Sequence, residues 1–266
     1  MDYFSSLPEG CTSDVLSLTS PRDVCRSSAI SRGFRSAAES DTTWERFLPS
    51  DYQQIISRSV SPVVFTTKKD LYFRLCDTPI LLDDGKMSFS LDKETGKKCY
   101  MLRAKELIIS WEDTPYYWKW TSHPDSRFSE VAELLAVCWL DIRGKMETHM
   151  LSLKTTYAAY LVFKLAEWYY GIDSVKVYVR LNREVDEFQA EDEAITVCLK
   201  SETSRRAPGQ LPKERKDGWM EIEMGEFYND QGDAGEVEMR LIEIKRLDGK
   251  SGLIVEGMEL RPKENR

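Results

Sequence analysis

Val175-Lys-Val-Tyr-Val-Arg-Leu181 alternates apolar and polar side chains at every step. A period of two sends successive side chains to opposite faces, so the stretch predicts a half-buried β-strand with one wet face. The same reading extends to both sides of it. Leu107–Trp111, Val131–Ile142, Tyr157–Leu165, Ala194–Leu199, Trp219–Met224, Val237–Ile244 and Leu253–Leu260 supply further strands. Turn signals fall at Gly144, Tyr170–Asp173, Asp217-Gly218, Gly232–Gly235, Asp248-Gly249 and Gly252. Short strands without intervening helices predict an antiparallel β-sandwich or jelly roll over residues 100–266. Glu202–Asp217 reads as a long polar loop.

One strand carries an irregularity. In Glu236-Val-Glu-Met-Arg-Leu-Ile-Glu-Ile244 the apolar phase runs through 237, 239 and 241, then slips to 242 and 244. The adjacent Leu241-Ile242 predicts a β-bulge, which would return Glu243 to the face that carries Glu236 and Glu238. An ordinary charged outer face is the plain alternative.

Trp111-Glu-Asp-Thr-Pro-Tyr-Tyr-Trp-Lys-Trp120 holds three tryptophans and two tyrosines in ten residues. Large aromatics are mostly core. Yet Glu112 to Pro115 read as a turn leaving a strand, and turns lie at the surface. Aromatic faces beside carboxylates on a loop suit a sugar, an aromatic ligand or a protein partner. Trp139, Trp168 and Trp219 are assigned to the core.

Residues 1–60 have a different pattern. Ser20 before Pro21 predicts a helix N-cap with proline at the first helical position. Apolar residues follow at helical spacing through Val24, Cys25, Ala29 and Ile30, then Phe34, Ala37, Ala38, Trp44, Phe47 and Leu48. Two or three short helices follow from this, with too little apolar surface for a strong core of their own. Thr67–Leu75 predicts another helix that Pro79 ends, and Lys86–Leu91 with Lys98–Leu102 predicts a hairpin. The organisation expected is an N-terminal helical segment over 1–50, a connecting segment over 51–99, and the β-domain over 100–266.

The net charge of −8 opposes phosphate-rich partners, so nucleic acid and anionic membrane are not expected. No leader-like or bilayer-spanning apolar run is present, and the six cysteines are scattered without a C-x-x-C pair. These features predict free thiols and a cytoplasmic or nuclear location. The two histidines lack metal-ligand spacing, and no phosphate loop or nucleophile elbow occurs. Binding is therefore expected rather than catalysis, with no metal or cofactor.

Two resemblances organise these readings. Leu7-Pro8, Val15-Leu16, Pro21-Arg-Asp-Val-Cys25, Phe34-Arg35 and Trp44 resemble the F-box, the adaptor-binding motif of substrate receptors in cullin–RING (SCF-type) ubiquitin ligases. Cys11-Thr12 and Thr43 depart from it, with polar residues where the family has larger aliphatics. The resemblance implies contact with a Skp-type adaptor through Leu7, Pro8, Val15, Leu16, Pro21 and Val24.

The second resemblance spans about residues 100–262. Leu107-Ile-Ile-Ser-Trp111 with Pro-x-Tyr-Trp118, Glu130-Val-Ala-Glu-Leu with Trp139–Lys145, Thr156–Leu165, Asp217–Phe227 and Gly235–Arg240 are similar to the phloem protein 2 family. That family includes the tobacco-agglutinin (Nictaba-type) lectins. It implies a β-sandwich that binds N-acetylglucosamine oligomers, with Trp111, Trp118, Glu236 and Glu243 as the carbohydrate site. Together the two imply a non-catalytic substrate receptor that presents a glycoprotein to the ligase. A lectin or stress-related protein acting apart from ubiquitination, and a receptor for unglycosylated proteins, are the alternatives.

Overall fold

The computed structural model describes residues 9–181, 194–200, 210–232 and 235–263. The chain forms two compact units, one of residues 1–84 and 88–99, the other of 85–87 and 100–266.

The first unit carries six helices: α1 (Glu9–Ser17), α2 (Pro21–Ser27), α3 (Arg32–Glu39), α4 (Asp41–Glu45), α5 (Tyr52–Ser57) and α6 (Lys68–Asp77). Caps written in the sequence set their starts. Ser20 Oγ accepts the Asp23 N–H with Pro21 at the first helical position, and Ser31, Ser40 and Thr67 cap α3, α4 and α6 in the same way. Trp44 is the centre of this unit. Its ring lies within 5.2–5.7 Å of Phe47, Tyr72 and Phe73, and its indole N–H donates to Ala38 O at 2.7 Å. β1 (Ile80–Leu82), β2 (Met87–Leu91) and β3 (Lys98–Arg103) follow, with Asp92 N–H closing the predicted hairpin loop onto Lys97 O at 2.8 Å. Residues 51–84 thus belong to the body of the helical unit rather than to a connection. They supply Tyr72, Leu71 and Leu75 to its core, which is how the short helices acquire one.

The second unit holds two antiparallel sheets. Its strands are β4 (Ile108–Ile109), β5 (Trp118–Thr121), β6 (Val131–Leu134), β7 (Leu140–Glu147), β8 (Thr155–Tyr170), β9 (Val175–Leu181), β10 (Ile195–Val197), β11 (Lys213–Glu214), β12 (Met220–Asn229), β13 (Glu236–Glu243) and β14 (Ser251–Pro262). One sheet runs β3-β14-β8-β12-β11, with β6 also on β14 and β5 on β6; the other runs β10-β9-β13-β7-β4. Met239 and Met258, from the two sheets, both lie within 3.0 Å of where a side chain on Gly144 would begin. Val237, Met239, Leu241, Leu140 and Ile142 fill the space between the sheets.

Three expectations are corrected here. Gly144 is not a turn but the middle of β7. Val131–Ile142 is two strands in different sheets, broken at 135–139. And β13 has no bulge: Glu236 to Glu243 pair in unbroken register with Glu147 to Leu140. Ile242 does point outward with Glu236, Glu238 and Arg240, but that face is itself largely buried, so its apolarity reports cover rather than a change of phase. The register does shift at Glu223/Gly225 in β12 and at Ser251/Leu253 and Val255/Gly257 in β14.

Candidate functional site

Four segments pass from one sheet to the other at a single end of the sandwich: 110–117, 135–139, 171–174 and 244–250. Hydrogen bonds stitch them together. Tyr117 O accepts the Leu135 N–H at 2.8 Å; Val137 and Lys250 exchange both backbone bonds at 3.0 and 2.7 Å; the Arg246 guanidinium donates to Gly171 O and Ser174 O at 3.0 and 2.8 Å. Gly171 sits at φ +72°, and any side chain there would begin 2.3 Å from Gly249 O, so the two crossings touch backbone to backbone.

The first crossing is wound tightly. Glu112, Thr114, Tyr117 and Trp118 N–H groups bond back to Ile109, Trp111 and Thr114 carbonyls. The winding puts Trp111 at φ +68°, a left-handed conformation that a bulky residue rarely occupies, with its ring 55% exposed. Trp111 meets Tyr117 edge-to-face at 6.1 Å, and Tyr117 meets Tyr116 at 5.7 Å. Across from them stands Trp139, 53% exposed. Trp111, Tyr117, Val137, Cys138 and Trp139 line an open, mostly apolar cavity of about 270 Å³. Two ring faces held over a shallow hollow can stack on the flat apolar face of a ligand. Glu112 stands next to Trp111; partial burial and the Asp113 carboxylate push its carboxyl up from the ordinary value.

Comparison with known proteins places this architecture. The phloem protein 2 family model matches residues 97–262, and an F-box-like model matches residues 4–50. The F-box protein PP2-B10 of Arabidopsis thaliana is 46% identical over 97% of this chain and 94% of its own length. The chain belongs to the phloem protein 2 family. The putative F-box protein PP2-B12, also of Arabidopsis thaliana, is 47% identical over 98% of both chains. Among solved structures, a family 35 carbohydrate binding module from Clostridium thermocellum overlaps at a TM-score of 0.34 with 12% identity, covering 61% of this chain and 96% of that one, too loosely to bear on ligand.

Within this phloem protein 2 chain the four residues expected to form a sugar site are not brought together. Trp111 is at the cavity. Trp118 starts β5, is 2% exposed, and donates its indole N–H to Ser110 O at 3.1 Å, closing the loop that carries Trp111. Glu243 ends β13 opposite Leu140, next in sequence to Trp139, so it lies at the same end as the cavity without lining it. Its carboxylate accepts the Lys245 and Arg246 N–H groups and pairs with the Arg246 guanidinium. Glu236 is seven residues away at the far end of the strand, about 24 Å at the usual rise, and pairs with Lys145. With the register unbroken, the two acids also point to opposite faces.

Sequence reasoning had Tyr117 in the ligand-suited aromatic run without naming it as a site residue, and it missed Trp139. Trp139 was placed in the core, as was Trp168; both are exposed, the first because the strand breaks at the sheet crossing, the second because it lies near the ragged end of β8. Trp219 is buried as expected.

In the F-box region Leu7 and Pro8 lie outside the described residues. Leu16, Pro21 and Val24 are buried, whereas Val15 is 52% exposed and Leu18 more so. The buried residues pack within the helical unit, where α1 meets α3 and α4, and α2 meets α3. Among the described residues no helix is long and apolar enough to cross a membrane, and no cluster of metal-ligating side chains occurs.

Proposed function

We propose that this chain is the substrate-recognition subunit of an SCF-type cullin–RING ubiquitin ligase, acting in the cytoplasm or nucleus. In this reading the F-box region docks a Skp-type adaptor, and the phloem protein 2 unit holds the target at the Trp111–Tyr117–Trp139 cavity. The chain supplies no catalytic group; ubiquitin transfer occurs elsewhere in the assembly. Val15 on the exposed side of α1 reaches the adaptor, with Leu7 and Pro8 ahead of it, while Leu16, Pro21 and Val24 hold the helices that present it.

The observation that carries the reading is the aromatic cavity at the sheet-crossing end. Its ligand is an N-acetylglucosamine oligomer on a glycoprotein target: pyranose CH faces and the acetamide methyl stack on the indoles, and Glu112 accepts from hydroxyls. A site this shallow binds one sugar with a Kd of about 1 mM and oligomers more tightly. A second reading, an apolar peptide side chain of an unglycosylated target, is favoured by the apolar and aromatic character of the described lining residues. A third, carbohydrate binding apart from ubiquitination, applies if no adaptor is bound.

Two measurements separate them. Val15→Asp should abolish copurification with the Skp-type adaptor; adaptor recovered at the parental level overturns the ligase assignment. Calorimetric titration with N-acetylglucosamine oligomers should saturate for the parent and not for Trp111→Ala. A parent that gives no heat with any oligomer, yet loses target proteins on Trp111→Ala, supports the peptide reading.

A further inference from the structure

Lys250 is fully buried, and its ammonium is directed at backbone. It donates to Cys138 O, Arg246 O and Asp248 O at 2.9, 2.7 and 3.0 Å, which uses all three of its protons, with the Asp248 carboxylate 3.7 Å away. A buried ammonium is tolerated only with such partners, and the carbonyls would be left unpaired without it. The Lys250 backbone pairs in both directions with Val137. One residue therefore fastens the end of the 244–250 crossing to two residues of the cavity wall.

Glu243 fixes the other end of the crossing onto Arg246, whose carbonyl accepts from Lys250. Oε1 accepts the Lys245 and Arg246 N–H groups at 3.1 and 2.9 Å, and Oε2 pairs with Arg246 Nε at 3.3 Å. Arg246 in turn grips Gly171 O and Ser174 O. Only 12% of the Glu243 side chain is exposed, so its acceptors are engaged before any ligand arrives.

We propose that Glu243 and Lys250 are positioning residues that clamp the two ends of the 243–250 crossing and so hold the Val137–Trp139 wall, neither of them touching the ligand. The proposal rests on the reading of the cavity as the target site. A ring displaced by even one ångström loses its stacking geometry, so a rigid wall behind Trp139 governs affinity.

The Val137 and Lys250 N–H groups pair with each other's carbonyls across the clamp, so their exchange with deuterium reports the wall directly. The full-length parent, Lys250→Met and Glu243→Gln are exchanged in heavy water, read peptide by peptide by mass spectrometry, and titrated with the N-acetylglucosamine trimer. Both variants should exchange the peptide that carries Val137 at least about fivefold faster, as expected for a segment that opens locally, while peptides from the middle of β8 keep the parental rate. Trimer affinity should fall in the same two variants. Weaker trimer binding in Glu243→Gln with Val137 exchanging at the parental rate makes Glu243 a direct ligand contact and overturns the proposal. Parental exchange in both variants overturns it as well. If Lys250→Met does not fold, Glu243→Gln alone decides. A parent that binds no trimer defeats the sugar reading, and the exchange rates still decide the clamp.

Discussion

Trp111 occupies a backbone region where L-residues other than glycine and asparagine cost about 1–2 kcal/mol. The chain keeps a bulky ring there because the wound turn from Ser110 to Trp118 fixes the backbone, with the Trp118 indole holding Ser110 O. Trp111→Gly should therefore be more stable than Trp111→Ala by about 1 kcal/mol, because only glycine relieves the strain, and both should lose ligand. Thermal melts of the two variants check the order; an alanine variant at least as stable as the glycine one contradicts the strain. At this scale the sequence was half legible. The aromatic run marked the loop, and its turn residues marked the surface. Which ring faces water depended on where the chain leaves each sheet, and that is why Trp118 went inside while Tyr117 and Trp139 stayed at the cavity.

Strand β13 shows what the elements add. Its inner face packs Val237, Met239 and Leu241; its outer face builds a grid in which Arg240 donates to both oxygens of Asp141 at 2.7 and 2.8 Å, and Tyr178 bridges Arg240 and Glu238. Burial raises the Asp141 carboxyl, but hydrogen bonds from Arg240 and Arg143 outweigh it and hold the group below its ordinary value of 3.8. The sign follows. A depressed carboxyl stabilises the fold above its unfolded value, and the contribution disappears as pH falls through the lower folded value. Arg240→Met should cost about 3 kcal/mol at pH 7, since it leaves a buried carboxylate with one partner fewer. The gap to the parent should narrow below about pH 4, where Asp141 is ionised less in the unfolded chain. Urea melts at pH 7 and pH 3 test this; a gap that stays constant shows that packing, not charge, accounts for it. Existence and type of most strands were legible from alternation. The slip at Leu241-Ile242 misled because a covered outer face carries apolar residues without any change of register.

The whole molecule joins a helical unit centred on Trp44 to a sandwich whose crossings converge at one end. The Ser20 cap and the helical spacing through Trp44, Phe47 and Leu48 were readable; the contribution of residues 51–84 to that core, Tyr72 and Phe73 included, was not, since it depends on contacts distant in sequence. Truncating Trp44, which is fully buried, should cost about 3–5 kcal/mol and unfold the helical unit. Trp44→Ala should lose helical circular dichroism at 222 nm and adaptor binding together. Retained helicity with lost binding would instead make Trp44 an interface residue.

Of the seven tryptophans, Trp44, Trp118 and Trp219 lie inside, Trp111, Trp139 and Trp168 outside, and Trp120 is half-buried beneath the Lys105 ammonium. The protein is consequently its own optical probe. Emission from the inner three belongs at the blue edge of the band and is shielded from acrylamide, while the outer three emit to the red and are quenched. An occupant of the cavity dries two of those three rings. It should shift the band to the blue and remove much of the quenchable fraction, leaving the Trp168 and Trp120 shares behind. Replacing both of these by phenylalanine would leave a red component that reports the cavity alone.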